Sequence, residues 1–274
     1  MPKVLTPEQV DFFRAEGYLF PFRGMGAGEA ADCLADIERY ERETGREAQK
    51  TLKFKAHLLF LRIFNAATSP AVLDVVEDLI GPNILLFASA FFVKDPHDGR
   101  FVSWHEDSAY MGFEPPEAVT AWTGLSDSTR EMGCLRVIPK SHLEPAEKVR
   151  HVETFDAKNL LSRGQTIPAI DESRAVDIET RAGEFEVHHI RLVHGSEENR
   201  SPRRRFGFNT VYIPTHVKST LGRRSAMLVR GVDAYSEWDP EPLPRFDMDP
   251  VAVDIMQKSW QQYLSLAKDQ TPKP

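Results

Sequence analysis

Val102-Ser-Trp-His105-Glu106-Asp107-Ser-Ala-Tyr110 is the stretch around which the chain organises itself. Its apolar and aromatic lead-in predicts a strand over 101–108, and side chains alternate between the two faces of a strand. His105 and Asp107 are therefore expected on one face, with Glu106 on the other. An imidazole and a carboxylate two residues apart can converge on a single ion. His-x-Asp recurs by chance, so what surrounds the pair must decide what it is for.

Outward from it, the texture stays that of short strands. Apolar or aromatic runs occur at 84–94, 119–125, 135–138, 176–178, 185–189 and 206–213. Turn residues such as Asp95-Pro96, Asp98-Gly99, Pro115-Pro116, Gly183 and Ser201-Pro202 separate them. Strands without helices regularly between them predict a mainly β fold, a sandwich or barrel rather than a parallel α/β sheet. The polar segment 144–173 reads as a long insertion.

Upstream, the chain reads as helical. Thr6-Pro7-Glu8-Gln9 is a capping box followed by Val10, Phe12, Phe13 and a stop at Gly17. A second helix is expected over about 29–44, ending at Gly45. A third runs from Ser69-Pro70 through Val72, Val75, Val76, Leu79 and Ile80 to Gly81-Pro82. Downstream, 238–246 is too rich in prolines and turn residues for regular structure, and a last helix is expected over about 250–268. No internal repeat or low-complexity segment breaks the chain, which predicts one domain over 1–274. Its parts are a helical N-terminal region 1–82, a β core 83–215 carrying the insertion, and a C-terminal extension 216–274.

Composition narrows the function. The 274 residues include 34 Lys+Arg against 41 Asp+Glu, a net charge of −7, with 41% hydrophobic residues. This suits a chain with a packed core and argues against nucleic acid or an anionic membrane surface as partner. No apolar run approaches the roughly 20 residues of a membrane span, and Met1-Pro-Lys-Val-Leu-Thr6 has no secretory character. A cytoplasmic protein, monomeric or homodimeric, is expected. Two cysteines, Cys33 and Cys134, make neither a disulfide framework nor a thiolate zinc site, and both read as buried small hydrophobes. With nine histidines present, any metal must be held by imidazole and carboxylate.

A second cluster supplies the missing imidazole. His188, His189 and His194 lie close together, followed by Gly195, Ser196, Asn199 and Arg203-Arg-Arg205. A strand carrying His194, a polar turn and a strand returning from Arg203 would bring His194 near Arg205. Two histidines and one carboxylate without thiolate form the ligand set of a non-haem Fe(II) oxygenase with open positions. An arginine beside them offers a planar fork for a carboxylate.

With these segments in order, the chain resembles the phytanoyl-CoA dioxygenase family of Fe(II)/2-oxoglutarate oxygenases over most of its length. The carriers are Trp104-His105-Glu106-Asp107, Ala121-Trp122-Thr-Gly-Leu125, Gly133-Cys-Leu-Arg-Val-Ile-Pro139-Lys-Ser-His142, and His194-Gly195-Ser196 with Asn199 and Arg205. Met132 and Lys140 depart from the family pattern near turns, which touches loop geometry rather than the ligands. The resemblance implies a double-stranded β-helix, a cupin-like jelly-roll with helices packed outside. It implies Fe(II) on His105, Asp107 and His194, 2-oxoglutarate on Arg205 with Ser196 and Trp122 beside it, and O2 as oxidant. Because Asp107 keeps the position that small residues occupy in related halogenases, it implies hydroxylation rather than halogenation.

The substrate side is read from weaker signals. His57, Lys94, Tyr110, Phe113, Arg163 and Asn209 are candidate wall or rim residues, with solvent the expected home of Lys94, a structural role an equal alternative for His57, and core packing an equal alternative for Tyr110 and Phe113. Basic side chains among them favour a small, soluble, anionic metabolite or a natural-product intermediate. His188 and His189 point to opposite faces of one strand, so at most one faces the site, and each is expected in the core or behind the ligands. Arg203 is expected on the surface. Two rival functions use the same three ligands: a metal hydrolase, and a jelly-roll binding protein without activity.

Overall fold

The computed structural model describes residues 2–146, 148–161 and 164–269. Its first helix forms as the capping box requires. Thr6 Oγ1 accepts the Gln9 N–H at 3.3 Å, and Gln9 Oε1 accepts the Thr6 N–H at 2.9 Å. Helix α1 (Pro7–Glu16) then ends on Gly17 at φ 90°, and β1 (Tyr18–Arg23) follows. Next come α2 (Ala27–Thr44), stopped by left-handed Gly45, then α3 (Ala48–Thr51) and α4 (Leu61–Ala67). Helix α5 (Pro70–Ile80) is capped by Ser69 and closed at Gly81.

The β-rich part opens with β2 (Ile84–Lys94) and β3 (Val102–His105), then the single-turn helix α6 (Ser108–Met111) and β4 (Phe113–Glu114). It continues through β5 (Val119–Gly124), β6 (Leu135–Val137), β7 (Val152–Glu153), β8 (Gln165–Thr166) and β9 (Val176–Ile178). Then come β10 (Glu184–His189), β11 (His194–Ser196), β12 (Arg205–Pro214) and β13 (Lys218–Ser219). Strands β14 (Ser225–Arg230) and β15 (Asp239–Pro240) precede the last helix, α7 (Pro250–Asp269).

Two sheets face each other, antiparallel except for the parallel β14–β15 pair. The larger has the order β1-β10-β5-β12-β2-β14-β15, the smaller β3-β11-β6-β9. This is the jelly-roll arrangement, with α1, α2, α4 and α5 against the outer face of the larger sheet. Strand alternation decides what goes where. On β12, Phe206, Phe208 and Tyr212 join Phe60, Phe91 and Val93 in the main core under the helices. Arg205, Asn209 and Val211, on the opposite face, line a cavity between the sheets.

Several expectations need correcting. The ligand strand is shorter than 101–108, because the chain turns into α6 after Asp107. The segment beyond 215 continues the sheet: Met227 pairs with Leu86, and Asp239, inside the stretch read as irregular, bridges to Ser225. The N-terminal region likewise supplies the edge strand β1, where Leu19 pairs with Val187. The insertion is stitched to β3 through the Phe101–Asn159 bridge and the Ile167 N–H to Trp104 carbonyl bond of 2.7 Å. Cys33 and Cys134 are free and buried. Among the described residues no helix is long and apolar enough to cross a membrane.

Candidate functional site

His105 and His194 stand opposite each other in the β3–β11 register, ring centroids 4.2 Å apart. Each donates its Nδ1–H to a backbone carbonyl, Ser103 and Leu192 respectively, both at 2.9 Å. A carbonyl only accepts, so the proton is fixed on Nδ1 and the Nε2 lone pair is turned inward. Both Nε2 atoms face Asp107 Oδ1, at 3.5 and 3.9 Å. One donor atom from each of the three lies within 4.8 Å of the others.

Asp107 reaches this position by a turn, not by strand alternation. Two steps along a strand would carry it about 6.6 Å from His105, whereas its helical backbone (φ −73°, ψ −33°) folds it back. Its Oδ2 accepts the Thr120 hydroxyl from β5 at 3.0 Å. Burial would raise the Asp107 carboxyl, but the imidazoles of His105 and His194 outweigh it and hold the group below its usual range. Burial and the neighbouring His105 push His194 well below an ordinary histidine, which keeps its ring neutral.

A cationic pocket lies at the inner end of the same cavity. Arg205 is 1% exposed, its guanidinium 4.5 Å over the Trp122 ring. Its Nε donates to Ser128 Oγ at 3.2 Å, and its buried Nη1 has no hydrogen-bond partner. Burial lowers its pKa to about 10. Across the β2–β12 register stands Lys94, which is fully buried rather than solvent-facing. Lys94 belongs to the inner face, and the turn carbonyls of Gly133 (3.3 Å) and Glu197 enclose its ammonium. It also donates to Ser196 Oγ at 2.6 Å. Neither cation makes an ion pair among the described residues. Burial and the nearby Arg205 push Lys94 well below an ordinary lysine, whereas a buried guanidinium without an anion is costly, and its unsatisfied Nη1 fits an incoming carboxylate. His194 and Arg205 meet across the gap between the sheets, not as neighbours on one hairpin.

The cavity, about 140 Å³, takes in the three-ligand cluster, Trp122, Ser196 and Arg205. Tyr110 and Asn209 line it. Phe113 does not: after left-handed Gly112 it packs against Phe87 and Trp238 at 5.0 and 5.9 Å, in a separate core cluster. His57 is also away from the mouth. It is fully buried behind β2, its Nδ1 2.9 Å from Ser89 Oγ and its Nε2 3.5 Å from Glu241. Ser89 shares the helix-facing side of β2 with Phe91, which puts His57 on the wrong side of the sheet. Arg163 lies outside the described residues. Arg203 is on the surface, 3.2 Å from Asp127.

Further residues complete the cavity, among them one of the His188–His189 pair, of which at most one was expected to face the site. His188 lines the cavity, its Nε2 4.0 Å from Asp107 Oδ2 and its Nδ1 2.8 Å from Glu186, both side chains fully buried. Burial disfavours the charge on His188, but Glu186 outweighs it and raises its pKa. His189 turns away toward His142. The signal was there: Glu184, Glu186 and His188 alternate along one face of β10, with Phe185 and Val187 on the other. Gln49, Lys53, Trp260 and Tyr263 also line the cavity, from segments far away in sequence.

Comparison with known proteins agrees with this geometry. A family model described as phytanoyl-CoA dioxygenase (PhyH) matches residues 1–207. The chain is 30% identical over 182 residues to a probable alpha-ketoglutarate-dependent hypophosphite dioxygenase of Stutzerimonas stutzeri, covering 65% of this chain and 63% of that protein. It is 31% identical over 204 residues to the peroxisomal phytanoyl-CoA dioxygenase of Bos taurus, covering 72% and 54%. The matched part thus spans somewhat over half of these relatives' lengths. Among solved structures, the non-heme monooxygenase ThoJ in its apo form superposes with a TM-score of 0.83 at 29% identity, over 95% of this chain and 99% of that one. CytC3 with Fe(II) and alpha-ketoglutarate shares the fold, with a TM-score of 0.67 at 20% identity over 89% and 97%.

Proposed function

The chain belongs to the phytanoyl-CoA dioxygenase family, and from that premise we propose that it is an Fe(II)- and 2-oxoglutarate-dependent oxygenase that hydroxylates an unactivated C–H bond of a small molecule. One observation carries the proposal: a single cavity holds both a two-histidine, one-carboxylate cluster and an unpaired buried guanidinium. The residues fit the implied groups. Two imidazoles, each anchored through Nδ1–H to a backbone carbonyl with Nε2 turned inward, and one carboxylate suit iron(II) and leave positions open. The orphan Nη1 of Arg205 suits a carboxylate.

Iron(II) with 2-oxoglutarate supplies, when bound, oxidation of a C–H bond by dioxygen, with 2-oxoglutarate leaving as succinate and CO2. The chain's own residues do the rest. His105, Asp107 and His194 hold the metal, and Thr120 fixes the outer oxygen of Asp107. Arg205 takes the far carboxylate of the cosubstrate. The Ser196 hydroxyl, whose oxygen already accepts from Lys94, keeps its hydrogen free as a second donor. The Trp122 face holds the guanidinium plane. The apolar wall at the outer end keeps water away from the reacting atoms. Because Asp107 occupies its position beside the histidines, halogenation is disfavoured.

The relatives carry names as unlike as phytanoyl-CoA and hypophosphite, so family membership leaves the substrate open. Purified protein with Fe(II), ascorbate and 2-oxoglutarate should release succinate slowly without added substrate. His105→Ala should abolish this, and Arg205→Ala should weaken cosubstrate binding. Normal turnover in either variant, or no binding of 2-oxoglutarate by the wild type, overturns the proposal. The second outcome is the one a hydrolase or an inactive binding module would give.

A further inference from the structure

The outer half of the cavity is built for a different guest from the inner half. Its wall is aromatic, with Phe54, Phe92, Tyr110, Trp260 and Tyr263 all lining it. Tyr263 stacks on Phe54 (centroids 5.8 Å, 24°) and on Trp260 (5.4 Å, 17°). Three nitrogen donors break this wall. Gln49 Oε1 is taken by the Val93 N–H at 2.7 Å, and Asn209 Oδ1 by the Ala90 N–H at 3.0 Å. Each amide is thereby fixed by its oxygen, and its NH2 has no protein partner among the described residues. Lys53, from the same segment as Gln49, lines the cavity and makes no ion pair or hydrogen bond among the described residues. The lining carboxylates belong to the ligand turn: Asp107, and Glu106 with Ser108 on its Oε1 at 3.0 Å.

We propose that this outer chamber binds a substrate with an apolar, ring-bearing body and a single carboxylate, the carboxylate paired with Lys53 and flanked by the Gln49 and Asn209 amides. The inference rests on the oxygenase reading above and names its substrate class. One lysine without an ion-pair partner among the described residues, beside two neutral donors, matches a singly charged, two-oxygen head. A dianionic head would leave charge uncompensated in a half-buried site. A small inorganic oxyanion would satisfy the donors but leave the aromatic wall facing water. The body lies along the Phe54–Tyr263–Trp260 stack, which offers ring faces for offset or edge contacts.

The test is a titration of the full chain under argon, with Fe(II) and 2-oxoglutarate present, followed by tryptophan emission. Hydrocinnamate should bind about tenfold more tightly than hydrocinnamamide, and about tenfold more tightly than propionate. Lys53→Met should bring the acid to the amide's affinity while the amide is unmoved, and Lys53→Arg should restore most of the difference. Four results each overturn the inference: equal binding of acid and amide by the wild type, an acid affinity untouched by Lys53→Met, tighter binding of phenethylphosphonate than of hydrocinnamate, or no saturable binding of hydrocinnamate. Calorimetric binding of 2-oxoglutarate without any probe tests the oxygenase reading, so the two can fail separately.

Discussion

Asp107 divides its two oxygens between duties. Oδ1 faces both imidazoles, while Oδ2 is tied to the Thr120 hydroxyl. Thr120→Val keeps the shape of the side chain and removes that tie, leaving the carboxylate free to rotate. Metal affinity should fall by about ten- to a hundredfold, read by competition with a chromogenic chelator, with the circular dichroism spectrum unchanged. Arg205 shows the opposite tension, since an unpaired buried guanidinium serves binding and burdens the fold. Arg205→Met should raise the 2-oxoglutarate concentration for half-maximal turnover by about a hundredfold. The ligand-free variant should melt no lower than the wild type. A clear loss of apo stability would mean that the bond to Ser128 and the packing on Trp122 outweigh the cost of burying the charge.

Elements far apart in sequence are locked by a buried cluster behind β2. Lys55 Nζ lies 2.5 Å from Glu241 Oε1, both side chains about 1% exposed, and Ser225 Oγ donates to the same oxygen at 2.6 Å. Burial pushes the Glu241 carboxyl up, but Lys55 and His57 outweigh it and hold it at about 2, against 4.5 for an ordinary glutamate. A carboxyl depressed in the fold stabilises it above the unfolded value, and that stability is lost as pH falls from about 4.5 toward about 2. Glu241→Gln, which strands the Lys55 ammonium, should cost about 3 kcal/mol or more at neutral pH. The gap should close as the pH drops through that window, as denaturant midpoints at several pH values would show. At this scale the sequence was most legible where local chemistry rules. The Thr6 box, Ser69-Pro70, Gly45 and Gly81 mark helix ends through caps and left-handed turns, and β2 runs over the stretch its apolar run suggests. Phe113 and His57 stayed open between a wall and a core role because a left-handed Gly112 and the choice of sheet face are settled by packing, which a linear pattern does not carry.

Over the whole molecule, the four ordered motifs between 104 and 205 were enough to place the ligand cluster and the arginine in one cavity. Its outer wall was not legible, because Gln49, Lys53, Trp260 and Tyr263 reach it from opposite ends of the chain and no local motif joins them. Gly207 shows how tightly the two levels mesh. A Cβ there would run into the indole of Trp122, the ring that supports Arg205. Gly207→Ala should therefore weaken 2-oxoglutarate binding without touching a polar contact, as calorimetry would show. Ligand binding should also register globally. At about a hundred times its Kd, 2-oxoglutarate with a divalent metal should stabilise the fold by about 2.7 kcal/mol, and Arg205→Met should abolish its share of the melting shift.

His105 and His194 belong to the four-stranded sheet, whereas Trp122 and Arg205 belong to the seven-stranded one. A molecule gripped at one end by β3 and β11 and at the other by β12 is a crossbeam between two plates that otherwise meet mainly through side chains. Loading the site should damp the breathing of the plates against each other. Amide hydrogen exchange should slow on β3, β11 and the first half of β12, and stay as it was on β14, which lies outside the span.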